Sequence, residues 1–254
     1  MYEENKPSLP ESLQLWWKHH MAEHGFGSTL RALCAELWAF FRDSAPEARR
    51  RRYGDVEYDW ENRVDTTSAT VGWRDRLLGH FHSPYQPTEP ELFHHMLLSL
   101  HINLADFTFI DLGSGKGRTL MMASTYPFRR IFGLELLPEL NRIALENLRK
   151  YKSPSQKCFC LEAACGDAQT FEFPSEPTVL YLFNPIPRAG VARVIANLAL
   201  SLQAHPRKVF VLYHNPEHEE VLAQCSGLRR TGGTHQYSIF ESRQEGAALP
   251  SELC

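Results

Sequence analysis

The sequence predicts an α/β protein, a doubly wound domain with a seven-stranded mixed sheet, carrying a helical N-terminal extension. Three observations lead there. From Asp106 onward, short β-rich runs alternate with helical stretches, the pattern of βαβ units and a mostly parallel sheet. The chain then closes with two β-rich runs around Gly232-Gly233 and no helix between them, which fits an antiparallel hairpin on the sheet. Before residue 100 the apolar positions instead recur at helical spacing.

In the N-terminal region Leu30, Leu33, Leu37, Phe40 and Phe41 share a helical face after Ser28, a residue suited to the N-cap. A basic run, Arg49 to Arg52, follows Pro46 and reads as a solvated helix end. Tyr53 to Pro90 ends in Ser83-Pro84-Tyr85-Gln86-Pro87-Thr88-Glu89-Pro90 and is expected to be a loop. Glu91 to Leu100 resumes a helical pattern. The boundary is therefore placed at residue 100. Residues 1–100 are expected to pack over the carboxyl edge of the sheet and 101–254 to form the ligand-binding domain.

The sheet domain is expected to run as follows. Strands cover Phe107 to Leu112, Arg130 to Leu136, Cys158 to Cys165, Thr178 to Asn184 and Lys208 to His214. Helices cover Lys116 to Thr125, Pro138 to Lys150 with proline in its first turn, and Ala189 to Ala204. The hairpin strands are Leu228 to Thr231 and Gln236 to Glu241.

Composition narrows the function. The 254 residues are 43% hydrophobic and 22% charged, the balance of a globular protein with a real core. Lys and Arg number 27 against 30 Asp and Glu, so a net charge of -3 supplies no global attraction to nucleic acid or an anionic membrane. Six scattered cysteines without a CxxC pair read as reduced thiols, which points to the cytoplasm. Glu3, Glu4, Pro7 and Pro10 are unlike a secretory leader, and the longest apolar runs fall far short of the roughly 20 residues that span a bilayer.

Phe109-Ile110-Asp111-Leu112-Gly113-Ser114-Gly115-Lys116-Gly117-Arg118 is a strand that turns through glycines straight into a helix. A phosphate-binding P-loop needs glycine where Ile110 stands and Ser or Thr where Gly117 stands. A dinucleotide fold needs its third glycine at Arg118. Asp111 also disfavours a pyrophosphate, because a carboxylate at the strand tip would repel it. A cation suits the loop better. S-adenosyl-L-methionine carries an α-ammonium and a sulfonium, which a carboxylate beside bare glycine backbone can approach closely. Glu135 lies 24 residues beyond Asp111, near the offset of about 20 at which an acidic residue meets ribose hydroxyls in such folds. Asp167, after the third strand, is placed to accept from the adenine amine. Asn184 and Pro185, after the fourth strand, stand at the carboxyl edge where ligands bind.

With these residues the chain resembles the class I S-adenosylmethionine-dependent methyltransferases over residues 106–242. The resemblance implies a Rossmann-like methyltransferase fold and a role for each match. Asp111, Gly113, Ser114 and Gly115 match the first motif, around the methionine end of the cofactor. Glu135 matches the ribose-binding acid, Asp167 with Ala168 the adenine contact, and Asn184 with Pro185 the start of the motif bordering the methyl acceptor. Ile186 and Pro187 depart from the Asn-Pro-Pro-aromatic form of the amino methyltransferases, which speaks against DNA adenine and glutamine amide acceptors. The Asp-Leu-Gly-Ser-Gly form is also similar to the non-SET lysine methyltransferases, without a close match around Asn184. A protein side chain or small molecule is the favoured acceptor, nucleic acid the disfavoured one, and no membrane is expected. Oligomeric state is not encoded in these motifs. Tyr85 and His214 are candidate bases where the acceptor must lose a proton.

Two other classes share this pattern, an NAD(P)-dependent oxidoreductase on the same sheet and a non-catalytic methyltransferase-like binding module. No metal site is expected. His80 with His82 lacks a third ligand, His94 and His95 diverge on a helix, and burial explains Cys158 and Cys160 as well as zinc does.

Overall fold

The computed structural model describes residues 25–34, 56–66, 87–183 and 187–243, together with residues 14, 17, 18, 21 and 22. The chain divides into two units, Met1–Pro87 and Thr88–Cys254. The helix after Pro90, which the sequence pattern grouped with residues 1–100, falls in the second unit.

In the first unit residues 25–34 are helical, with Ser28 inside the helix and not at its cap. Trp17 meets Phe26 edge-on, with ring centroids 6.1 Å apart. The stretch expected as a loop contains helix α1, Val56–Asn62. Its seven residues are too few to display a helical period. Past its end the Thr66 amide donates to the buried Asp59 carboxylate at 2.7 Å, tying the exit chain back to the helix.

The second unit is built on seven strands: β1 Thr108–Leu112, β2 Arg130–Glu135, β3 Leu161–Cys165, β4 Thr178–Phe183, β5 Val209–His214, β6 Leu228–Gly233 and β7 Tyr237–Ser242. Their order is β3-β2-β1-β4-β5-β7-β6, parallel except for β7, which runs antiparallel between β5 and β6. The fold class expected from the sequence is the one observed. The order reverses between β1 and β4, which opens a crevice at their carboxyl ends.

Helices cover both faces. On one, α2 (Pro90–Leu98) sets Phe93 against Phe109 and Tyr181, and α3 (Arg118–Ala123) buries every residue it has. α4 (Pro138–Lys150) buries Leu140, Ile143 and Ala144 and packs by β2 and β3. On the other face, Val191, Val194, Ile195 and Leu198 of α5 (Arg188–Ala204) join Ile110, Leu112, Leu180, Leu182 and Val211 in one apolar cluster. β1 and β5 are buried along their whole length, which is why they read as continuous apolar runs in the sequence.

Several boundaries differ from expectation. The expected strand from Cys158 begins at Leu161, and the helix expected from Lys116 begins at Arg118, because the glycine turn continues through Gly117. The hairpin does not turn at Gly232-Gly233. Both belong to β6, a bulge falls between Arg230 and Gly232, and the Thr234 amide closes the turn on Tyr237 O at 2.8 Å. A short helix not read from the sequence, α6 (Glu219–Ala223), lies between β5 and β6. Among the described residues no helix is long and apolar enough to cross a membrane.

Candidate functional site

The glycine turn leaves β1 at the switch point. Gly113 and Ser114 both donate their amides to Leu134 O, at 2.7 and 3.0 Å, and the Gly117 amide donates to Ser114 O at 2.8 Å. Gly113, Gly115 and Gly117 hold φ of 97°, 54° and 81°, a region glycine enters without a Cβ penalty. From α4, Asn147 Nδ2 donates to Lys116 O at 2.9 Å and pins the far end of the turn. The strand beneath has a requirement of its own. A Cβ on Gly133 would lie 2.6 Å from Leu120 Cδ1 and 2.7 Å from Ser114 Oγ.

Two of the expected acids meet at this turn. Glu135, at the end of β2, is 7% exposed and accepts the Gly115 amide on Oε2 and the Leu137 amide on Oε1, both at 2.8 Å. Burial pushes its pKa up, opposed by the N–H groups of Leu137, Gly115 and Leu136. Asp111 is 2% exposed. Its Oδ2 accepts a short hydrogen bond from the Thr119 hydroxyl in the first turn of α3, and its Oδ1 is buried with no partner among the described residues. Burial raises its pKa to about 7, against the Thr119 bond and with the help of the Glu135 charge. Ser114 Oγ is likewise buried and unpartnered among the described residues.

Asp167 stands beside this pair. The Gly166 amide donates to Glu135 O at 2.9 Å, which joins the loop after β3 to the end of β2. Asp167 Oδ1 accepts the Gln169 amide at 2.8 Å and so heads a 3-10 turn, Ala168–Thr170, in which Ala168 is buried. Asp111 and Glu135, in the last residues of β1 and β2, and Gly113, Ser114, Gly115, Asp167 and Ala168, on the segments after β1 and β3, thus stand at the carboxyl edge of the sheet. Asn184, Pro185 and Tyr85 lie outside the described residues, and Phe183 is the last described position before Asn184.

The structure adds Thr119, Gly133 and Tyr181. Thr119 follows Asp111 by eight residues, the one polar side chain in the run Thr119-Leu120-Met121-Met122-Ala123, and that was its available signal. Tyr181 is brought beside Asp111 by the β1/β4 register, which the sequence does not encode locally.

The chemistry of the donor set is that of a cation and hydroxyl host. Two buried carboxylates, one with an unsatisfied oxygen, create a negative potential that repels phosphate and favours ammonium, sulfonium or sugar hydroxyl groups. Glu135 has one N–H on each oxygen and retains lone pairs for further donors.

No protein-family model matches the sequence, and no curated protein matches it. Solved structures similar to this chain include an RNA methyltransferase from Salinibacter ruber in complex with S-adenosyl-L-homocysteine, at 21% identity over 66% of this chain and 99% of that one, with a TM-score of 0.43. The rRNA methyltransferase aviRa from Streptomyces viridochromogenes is 14% identical over 61% of this chain and 85% of its own, TM-score 0.44. A precorrin-6y C5,15-methyltransferase from Geobacter metallireducens is 16% identical over 62% and 89%, TM-score 0.45.

Proposed function

We propose that this protein is an S-adenosyl-L-methionine-dependent methyltransferase. The observation that carries the reading is the pairing of Asp111, whose buried Oδ1 has no partner among the described residues, with Glu135 across a turn of bare glycine backbone at the strand switch point. The residues present fit the cofactor. Asp111 offers a carboxylate to the cationic methionine end, with Gly113, Ser114 and Gly115 giving backbone room. Glu135 accepts from the ribose hydroxyls, and Asp167 beside Ala168 accepts from the adenine amine. The cofactor supplies an activated methyl on a sulfonium. The chain's share is to bind, align the acceptor in line and exclude water, so that orientation carries much of the rate. Asn184 and Pro185 are assigned to the acceptor side of the same edge.

The proposed acceptor is a protein side chain or a small molecule. The net charge of -3 supports this over nucleic acid, and the Asn-Pro-Ile-Pro run speaks against DNA adenine and glutamine amide alike. Cytoplasmic residence belongs to the same reading and rests on the free thiols of Cys34, Cys158, Cys160 and Cys225.

Titration calorimetry with S-adenosylmethionine and S-adenosylhomocysteine tests the site. Wild type binds both, and Asp111→Ala and Glu135→Ala weaken them. Undiminished binding in both variants, or a melting temperature raised by NAD(P) and not by these ligands, overturns the assignment. A tritium-transfer screen of cell extract separated into protein, RNA and small molecules tests the acceptor. Label confined to RNA would sink the preference stated here.

A further inference from the structure

Next to the cofactor acids runs a second line of buried polar groups that the reading above leaves unused. Tyr181 of β4 is in register with Asp111 and 1% exposed. Its hydroxyl lies 2.8 Å from Thr88 Oγ1 and 2.8 Å from Nδ1 of His214, the last residue of β5. The His214 ring stacks on Phe183, its register partner, with centroids 3.8 Å and planes 20° apart. Phe183 immediately precedes Asn184. The line therefore leads from inside the sheet to the edge assigned to the acceptor.

For a neutral imidazole, two proton arrangements fill both hydrogen bonds and also use the phenol proton. In one, Thr88 donates to Tyr181, Tyr181 donates to Nδ1, and the ring proton sits on Nε2. In the other every donor reverses, and Nε2 is bare. Acidity decides between them. The phenol is the strongest neutral O–H donor of the set and the imidazole nitrogen its strongest base, so Tyr181 donating to Nδ1 makes the better bond. The reverse order asks a phenol oxygen, a weaker base, to receive the ring N–H.

The surroundings keep the ring neutral. Tyr181 and Phe183 face it from β4, and Tyr237 is its register partner on β7. The Tyr237 hydroxyl is taken up by His95 Nδ1 of α2 at 3.0 Å and by Ser99 Oγ, just past the end of that helix, at 3.2 Å. Burial lowers the His214 pKa to about 4. Such a ring is a poor store for a proton, which argues against the base role considered from the sequence. Its Nε2 makes no hydrogen bond among the described residues, while the residue keeps 8% of its surface exposed.

We infer that His214 is a specificity-determining residue, a neutral Nε2–H donor held in one tautomer by Tyr181 and Thr88, which recognises a methyl acceptor carrying a lone pair beside its reacting atom. A carbonyl, a carboxylate or a heteroaromatic nitrogen meets that condition. A simple alkylamine does not, since the amine has no second lone-pair atom to receive the N–H. The word acceptor rests on the transferase reading; the tautomer rests on geometry alone.

Nitrogen NMR of the full chain, labelled in its histidine rings and free of ligand at neutral pH, reads the tautomer directly. Wild type and Thr88→Val are expected to show His214 as Nε2–H, because Tyr181 keeps its donation to Nδ1. Tyr181→Phe is expected to show a mixture. A bare Nε2 in wild type overturns the inference. The second arm uses tritium-labelled S-adenosylmethionine with the extract fraction that wild type labels. His214→Gln, which retains an N–H near the Nε2 position, should outperform His214→Phe by about tenfold, the worth of one hydrogen bond. Unchanged S-adenosylhomocysteine affinity in both variants serves as the folding control. Equal labelling by the two variants refutes the role. If wild type binds S-adenosylhomocysteine and labels no fraction, the transferase reading fails and the acceptor role goes with it; the tautomer result still separates that failure from an error in the geometry.

Discussion

The Gly115 amide donates to Glu135 Oε2 at 2.8 Å, so the residue assigned to the ribose also fixes the shape of the turn assigned to the methionine end. Its second oxygen holds the Leu137 amide at the entry to α4. One carboxylate thereby satisfies two amides, that of Gly115 buried and that of Leu137 partly so.

Glu135→Ala should therefore disturb the turn even without ligand. The Gly115 and Leu137 amides, protected in wild type, should exchange with solvent faster in the variant. S-adenosylhomocysteine affinity should fall at least about tenfold, since charged hydrogen bonds are worth roughly 1.5–3 kcal/mol each. Hydrogen exchange and calorimetry check the two parts. Unchanged Gly115 protection would show that the hydrogen bond contributes nothing to loop order.

Asp111 carries a stability cost with a definite sign. Its pKa rises from the ordinary 3.8 to about 7, so between those values the folded chain binds a proton that the unfolded chain does not. The contribution is fully present below the ordinary value and is lost as pH rises through about 7. In the absence of ligand, Asp111→Asn should be more stable than wild type at pH 8 and close to it at pH 4, with a ceiling of about 4 kcal/mol for the full shift. Urea unfolding at the two pH values measures this. A wild type that gains on the variant as pH rises would contradict the burial argument.

How far the sequence carried depends on where each feature gets its meaning. β1, β4 and β5 are buried on both faces, so their apolar runs announced them, and Asp111 was conspicuous as a charge inside such a run. Glu135 was legible from its distance to Asp111, because βαβ geometry fixes the spacing of successive strand ends. Tyr181 was not legible, and Thr119 showed only as a lone polar side chain in an apolar run. The role of Thr119 depends on how α3 leaves the turn, and that of Tyr181 on the register Asp111↔Tyr181, which pairs residues 70 positions apart. α1 and α6 were hidden for another reason: helices of seven and five residues complete too few turns to impose a period. The hairpin turn was misplaced because Gly232-Gly233 resembles a two-residue loop, whereas these glycines accommodate a bulge and the close passage of β7, with a Gly233 Cβ falling 2.4 Å from Tyr237 O.

On the proposed assignment, the same Asp111 shift makes cofactor binding a proton-releasing event. A cation beside the carboxylate favours its ionised form, so a group about half protonated near pH 7 gives up its proton on binding. Calorimetric enthalpies in two buffers of different ionisation enthalpy should differ by up to about half a proton at pH 7. Affinity should fall below pH 7 and approach tenfold per unit. Asp111→Asn removes both effects. A pH-independent wild type would mean that Asp111 does not face the charged end of the ligand.

Gly133 supplies the sharpest test of the packing that supports the site. A Cβ there would stand 2.6 Å from Leu120 Cδ1, 2.7 Å from Ser114 Oγ and 2.8 Å from Ser114 Cβ. The leucine methyl can swing aside. Ser114 Cβ cannot retreat without moving a backbone whose Gly113 and Ser114 amides are both bound to Leu134 O, one residue from Gly133 itself. Gly133→Ala should therefore cost roughly 1–3 kcal/mol of stability, the usual price of overpacking, and weaken S-adenosylhomocysteine binding through the displaced turn. Ser114→Gly removes the obstructing atoms at a smaller cost of its own, about 0.5–1 kcal/mol from added backbone freedom. The double variant should then be more stable than the sum of the single effects predicts, which a double-mutant cycle by urea unfolding reads directly. Strict additivity would mean that the alanine methyl finds its room elsewhere and that Ser114 does not rest on the Gly133 backbone.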